Sequence, residues 1–172
     1  MIPTCIPRTI AAASFFVLAS AVLHSPHADA ASMRTISVSA TGVCDAPLPV
    51  YNVHLRRRPV ALQNESDQSV FVSCTLPTDV MGDSNSGSVV VGFKSFAGAA
   101  TVSCTMVSGT SGAQVFYVPR DQAIAANGRA GITWLQVNKW SNSGTYAFSC
   151  NLPAGVAMET ITYTQTDSGG RV

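Results

Sequence analysis

"FVSCTLP" at Phe71–Pro77 and "FSCNLP" at Phe148–Pro153 nearly repeat each other, and "TVSCTM" at Thr101–Met106 shares their centre. Side chains alternate strictly between the two faces of a β-strand. In Ser69–Leu76 that parity groups Val70, Val72, Cys74 and Leu76 against Ser69, Phe71, Ser73 and Thr75. In Ala100–Val107 it groups Val102, Cys104 and Met106 against Thr101, Ser103 and Thr105. In Gly144–Leu152 it groups Tyr146, Phe148, Cys150 and Leu152 against Thr145, Ala147, Ser149 and Asn151. Each cysteine thus travels with large apolar side chains, while the serine before it faces water. Pro77 and Pro153 end their strands, because proline has no N–H to give the ladder. The repeat is a packing signature, not a catalytic one.

The same alternation, bounded by Gly, Pro, Asn and Asp, predicts strands along the rest of the chain. They fall at Thr35–Ala40, Val50–Leu55, Val60–Gln63, Ser88–Phe96, Ala113–Val118, Gly131–Val137 and Thr160–Thr166, besides the three above. One short helix is expected at Arg120–Gly128, where Asn127-Gly128 could equally form a turn. Many short strands with regular turn signals imply an all-β fold. The expected architecture is one disulfide-bonded antiparallel β-sandwich, jelly-roll-like or immunoglobulin-like.

The N-terminus reads as an export signal. Arg8 precedes the uncharged apolar run Ile10–Leu23, and Ala28-Asp29-Ala30 matches the small-x-small cleavage pattern. The run is short of the roughly 20 apolar residues a bilayer span needs. The expected division is a signal peptide over residues 1–30 and a β-sandwich domain over residues 31–172, secreted or periplasmic, with no membrane span in the mature chain. Cys5 would leave with the signal, so Cys44, Cys74, Cys104 and Cys150 remain, an even set in an oxidising compartment. Such a set allows three connectivities. Near-neighbour pairing, Cys44–Cys74 with Cys104–Cys150, is the first expectation, and Cys74–Cys150, joining the matched strands, is its rival.

Charged residues make up only 11% of the chain, against about 25% in typical domains. The formal net charge is +1, and losing Arg8 with Asp29 leaves it unchanged. Without a basic face, a nucleic-acid partner is not expected. A hydrolase needs a nucleophile with a base beside it, and after residue 30 the only histidine is His54, in "VHLRRRP". It reads as a strand-edge imidazole whose protonation the neighbouring arginines oppose. No G-x-S-x-G elbow and no C-x-x-C occurs, so neither a serine-hydrolase site nor a zinc site is expected. Asp79, Asp83 and Asn85 stand in an Asp/Asn/Ser/Gly run that reads as a turn rather than a calcium loop. No metal and no cofactor is expected, and no catalytic residue.

Two features could bind something. Arg56, Arg57 and Arg58 form the only charge cluster, and their forks suit carboxylate or phosphate groups of a surface polymer. Three charges are a short cluster, however, and the favoured reading is a solvated edge that discourages sheet-to-sheet pairing. Trp140, in the loop "NKWSNSG", is the exposed aromatic candidate for stacking on a sugar, with Phe116 and Tyr117 nearby; Trp134 shares a face with Ile132 and reads as core. Thr160, Thr162, Thr164 and Thr166 share one face. A single threonine row is ordinary β-propensity on a wet surface.

"LQNESDQSVFVSCTLP" together with "YAFSCNLP" resembles small secreted bacterial β-sandwich proteins of unassigned function, through a V-x-C-x-L-P strand and a Y-x-x-x-C-x-L-P strand. "ATVSCTM" followed by "SGTYAFSC" more weakly resembles strands B and F of immunoglobulin-like domains, over about Ser88–Thr166. These resemblances imply the fold and no reaction. The expected role is therefore a secreted, non-catalytic structural or surface-recognition protein whose partner could be a glycan or cell-surface polymer. The alternatives are a carbohydrate-binding module or a secreted hydrolase with an unrecognised site.

Overall fold

The computed structural model describes residues 32–77, 86–109, 115–138 and 145–167. Among these described residues, eleven strands and two single helical turns follow in chain order. They are β1 (Ser32–Ser39), α1 (Ala40–Val43), β2 (Cys44–Asp45), α2 (Pro49–Asn52), β3 (Leu55–Arg58), β4 (Ala61–Asn64) and β5 (Val70–Leu76). Then come β6 (Ser86–Ser95), β7 (Ala100–Gly109), β8 (Phe116–Ile124), β9 (Arg129–Asn138), β10 (Thr145–Leu152) and β11 (Val156–Asp167). A six-stranded sheet runs β3-β4-β11-β6-β9 with β1 also paired to β11, and a five-stranded sheet runs β2-β5-β10-β7-β8. All pairings are antiparallel. The protein is an all-β sandwich.

Parity places the core as expected. Val72, Cys74, Leu76, Val102, Cys104, Met106, Phe148 and Cys150 point from the five-stranded sheet into the interior. Val89, Val91, Phe93, Ile132, Trp134, Met158, Ile161 and Tyr163 meet them from the other sheet. Cys44 faces Cys74 across β2 and β5, and Cys150 faces Cys104 across β10 and β7. Both pairs are disulfides, with Cα–Cα separations of 4.0 and 4.1 Å. The near-neighbour pairing therefore holds. In immunoglobulin domains the conserved bond joins the two sheets; here each bond joins adjacent strands of one sheet. The first disulfide packs on Met158 of the opposite sheet, its sulfurs 3.6 and 3.7 Å from the thioether.

Two expectations about elements fail. Val50–Leu55 is not a strand: Pro49 opens the turn α2 as its N1 residue, and Tyr51 O accepts from the His54 amide. Proline's fixed φ suits the first helical position, and this outweighs the β-propensity of Val50, Tyr51 and Val53. The strand begins only at Leu55, so His54 sits in the preceding turn. Nor is Arg120–Gly128 a helix. Strand β8 continues to Ile124, pairing residue by residue with β7, and Asn127 then takes a positive φ of 54° in the turn into β9. Helix signals in nine residues are weak, and an open ladder beside β7 decides the matter.

Specific contacts bind the sheets to each other. Trp134, only 1% exposed, donates its indole N–H to Val118 O of β8 at 2.8 Å and tilts against Phe148, with ring centroids 6.0 Å apart. Asn64 is fully buried at the end of β4. Its amide nitrogen donates to Gln68 O and to Leu152 O, while its oxygen accepts from the amide and hydroxyl of Ser66. The Asn-Glu-Ser stretch is thus a turn whose asparagine reaches across to the other sheet.

Tyr146 is buried and donates its hydroxyl to Val137 O at 3.2 Å. Burial pushes its pKa up to about 12. The phenol's folded value lies above its unfolded value of about 10, so the stability it contributes is whole below pH 10 and is lost as pH rises through about 12. Alkaline titration followed by circular dichroism and phenolate absorbance is expected to show unfolding coupled to ionisation in that window. Tyr146→Phe should remove the coupled component, and an unchanged profile would show that Tyr146 is not its source.

Candidate functional site

The inward faces of the inner strands are spent on the core, whereas the edge strands β3 and β8 are largely exposed, so recognition falls to the outward faces, the strand edges and the loops. On the five-stranded sheet the register aligns outward residues into rows that cross the strands. Asp45 of β2, Ser73 of β5, Ser149 of β10, Thr105 of β7 and Pro119 of β8 form one row. Phe71, Asn151, Ser103 and Asp121 form the row on one side of it, and Thr75, Ala147, Val107 and Tyr117 the row on the other. With strands about 4.8 Å apart, the central row spans roughly 19 Å. Phe71 and Tyr117 are 48% and 68% exposed at opposite margins. Between them Asn151 is half-buried, and its Oδ1 is shielded from solvent with no hydrogen-bond partner among the described residues. A shielded, unmatched carbonyl costs about 1–3 kcal/mol.

At the β2 margin the face runs into two clefts. One, of about 620 Å³, is lined by Gly42, Val43, Asp45, Arg57, Ser73 and Thr75 among others. The second, about 550 Å³, is lined by Asp45, Asn52, His54, Arg56, Arg57 and Glu65, with Leu62 at its apolar side. The structure thus gathers the arginine cluster, His54 and two carboxylates at one edge of the sandwich. Arg57 holds Asp45 at 2.8 Å and donates to Thr41 O at 2.7 Å, which ties β3 of one sheet to α1 and β2 beside the other. Arg58 pairs closely with Glu65 and donates to Gln63 Oε1. Arg56 reaches Glu65 only at 3.7 Å and is 64% exposed. Both carboxylates that line this cleft with His54 are therefore engaged by arginines.

The outward face of the six-stranded sheet is different. Thr160, Thr162 and Thr164 stand opposite Ser39, Ser37 and Thr35 of β1 in register. Ser37 and Thr162 share a hydroxyl–hydroxyl bond of 3.1 Å, and Ser88 and Thr164 one of 2.9 Å. The threonine row is flanked by the β1 row, joined to it through Ser37 and Thr162, and by Ser88 of β6, which bonds Thr164.

Trp134 is core, as expected. Trp140, Asp79, Asp83 and Asn85 lie outside the described residues. Among the described residues no group of His, Cys, Asp and Glu could hold a metal ion, and no helix is long and apolar enough to cross a membrane. Sequence reading missed Asn151 and the alignment of Asp45, Ser73, Ser149 and Thr105. Their outward parity was legible; their register was not.

No protein-family model matches the chain, and a search of curated proteins finds no relative. Among solved structures, the chain is similar to a Podospora anserina GH26-CBM35 β-(1,4)-mannanase, at 11% identity and a TM-score of 0.45, covering 80% of this chain and 28% of that one. It spans little more than a quarter of that enzyme's length. It is also similar to the C-terminal CBM6 of LamC from Zobellia galactanivorans, at 13% identity and a TM-score of 0.43, covering 76% and 99% of the two chains. A xylan-binding domain from CBM 22 has 12% identity and a TM-score of 0.39, covering 86% and 93%.

Proposed function

We propose that this protein is a non-catalytic glycan-recognition module that binds through the outward face of its five-stranded sheet. The observation that carries the reading is the uncovered face itself: hydroxyls of Ser73, Ser149 and Thr105 in one transverse row, flanked by the exposed rings of Phe71 and Tyr117. Sugars offer hydroxyl groups around apolar C–H faces, and such a surface answers both. The rings stack on the C–H faces, while side-chain hydroxyls and the Asn151 amide exchange hydrogen bonds with the sugar hydroxyls. The reading also accounts for the low charge of the chain, because neutral polar groups can be aligned on a sheet without mutual repulsion.

Affinity electrophoresis against a panel of soluble polysaccharides tests it. At least one polymer is expected to retard the protein. Tyr117→Ala and Asn151→Ala should each weaken that retardation about ten-fold, the size of a contact that dominates an interface, with little change in melting temperature. Passage through every gel at the rate of an inert control would reject the reading, as would turnover of any of the polymers.

A further inference from the structure

We infer that the transverse row and the two clefts form one continuous track, and that its ligand is a glycan bearing carboxylate groups, docked at the arginine end. The inference rests on the glycan reading above. The central row ends at Asp45, and Asp45 lines both clefts, as does Arg57. A chain lying along Thr105, Ser149 and Ser73 therefore leads over the Asp45–Arg57 pair towards Arg56 and His54.

The charges at the two ends differ in kind. At the β8 end the exposed Asp121 stands in the neighbouring row with the exposed Arg120 beside it in the chain, one charge of each sign. At the β2 end three guanidinium groups meet the two carboxylates of Asp45 and Glu65. Glu65 is held closely by Arg58, so its attraction for Arg56 is already divided; Arg56 lies at 3.7 Å and is largely exposed. Asp45 already presents to Arg57 the carboxylate geometry that a ligand group would have to match. Exposed ion pairs of this kind contribute little and exchange readily, whereas a carboxylate can take two parallel N–H bonds from a guanidinium fork. The edge thus has cationic donor capacity beyond what its own acids use, placed where a sugar chain leaves the hydroxyl row.

The test compares polygalacturonate, its fully methyl-esterified form and a polyol-phosphate polymer in the same electrophoretic assay, using the full chain. Polygalacturonate is expected to bind, to lose roughly ten-fold or more in affinity on esterification, and to lose a similar factor in Arg56→Gln. Raised salt should weaken it, since the contact is between exposed charges. Arg56→Lys keeps the charge without the fork and should restore only part of the affinity. Equal binding of the esterified polymer would overturn the carboxylate assignment while leaving the glycan function standing. Tighter binding of the phosphate polymer, or full affinity in Arg56→Gln with unchanged melting, would overturn it too. Failure of every polysaccharide in the wider panel would instead remove the function itself.

Discussion

Replacing Cys104 and Cys150 together by alanine is expected to lower the stability of the folded chain by about 4 kcal/mol, for a closed loop of 46 residues. The loop contains β8 and β9, the edge strands of the two sheets, so the bond restrains the part of the unfolded chain with the longest excursion to make. It also lies in the core, both sulfurs nearly inaccessible, so the deletion leaves space that neighbours fill only in part. Domains of this size are stable by about 5–15 kcal/mol in all. Urea unfolding of the double variant should therefore show a midpoint shifted far down, or no native baseline. A loss below 1 kcal/mol would mean that the adjacent ladder of β7 and β10 already confines the unfolded state. The Cys44–Cys74 pair, closing 30 residues, should cost somewhat less.

Asn64→Ala is expected to be nearly as severe, at roughly 3 kcal/mol. The side chain is fully buried and serves Gln68 O and Leu152 O as donor and Ser66 as acceptor. Alanine removes all of these bonds at once and leaves Leu152 O, inside the molecule, without that partner. An unmatched buried group costs about 1–3 kcal/mol, and the freed turn at Ser66–Gln68 adds to it. Asn64→Asp should be worse than its shape suggests, because a carboxylate would face two carbonyl oxygens that need donors. Thermal melts of both variants against Ser66→Ala, which loses the hydroxyl's three bonds to Asn64 and Gln68 but leaves the bond to Leu152 O, check the order. A melting temperature in Asn64→Ala no lower than in Ser66→Ala would show that the cross-sheet bond to Leu152 O contributes little. The same buried amide shows why an Asn-x-Ser stretch in this chain is structural.

The sequence by itself determined the class of fold, the faces of β5, β7 and β10 and the buried state of the cysteines. These follow from a two-residue period that is local: Val72, Cys74 and Leu76 must share a side whatever the rest of the chain does. Proline placed the ends of β5 and β10 for the same local reason. Tertiary structure decided what depended on partners. Arg120–Ile124 became strand because β7 offered a ladder, and the segment after Pro49 became a turn because its proline opens α2 where an alternating apolar pattern predicted a strand. The arginines of β3 had no visible counterions in the sequence, since Asp45 lies across the sandwich edge and Glu65 beyond the next strand. Above all, Asp45, Ser73, Thr105 and Ser149 are far apart in the chain and became one row only through register. Register is a relation between strands, set by how both faces of a pair settle against their neighbours, and no single stretch of residues encodes it.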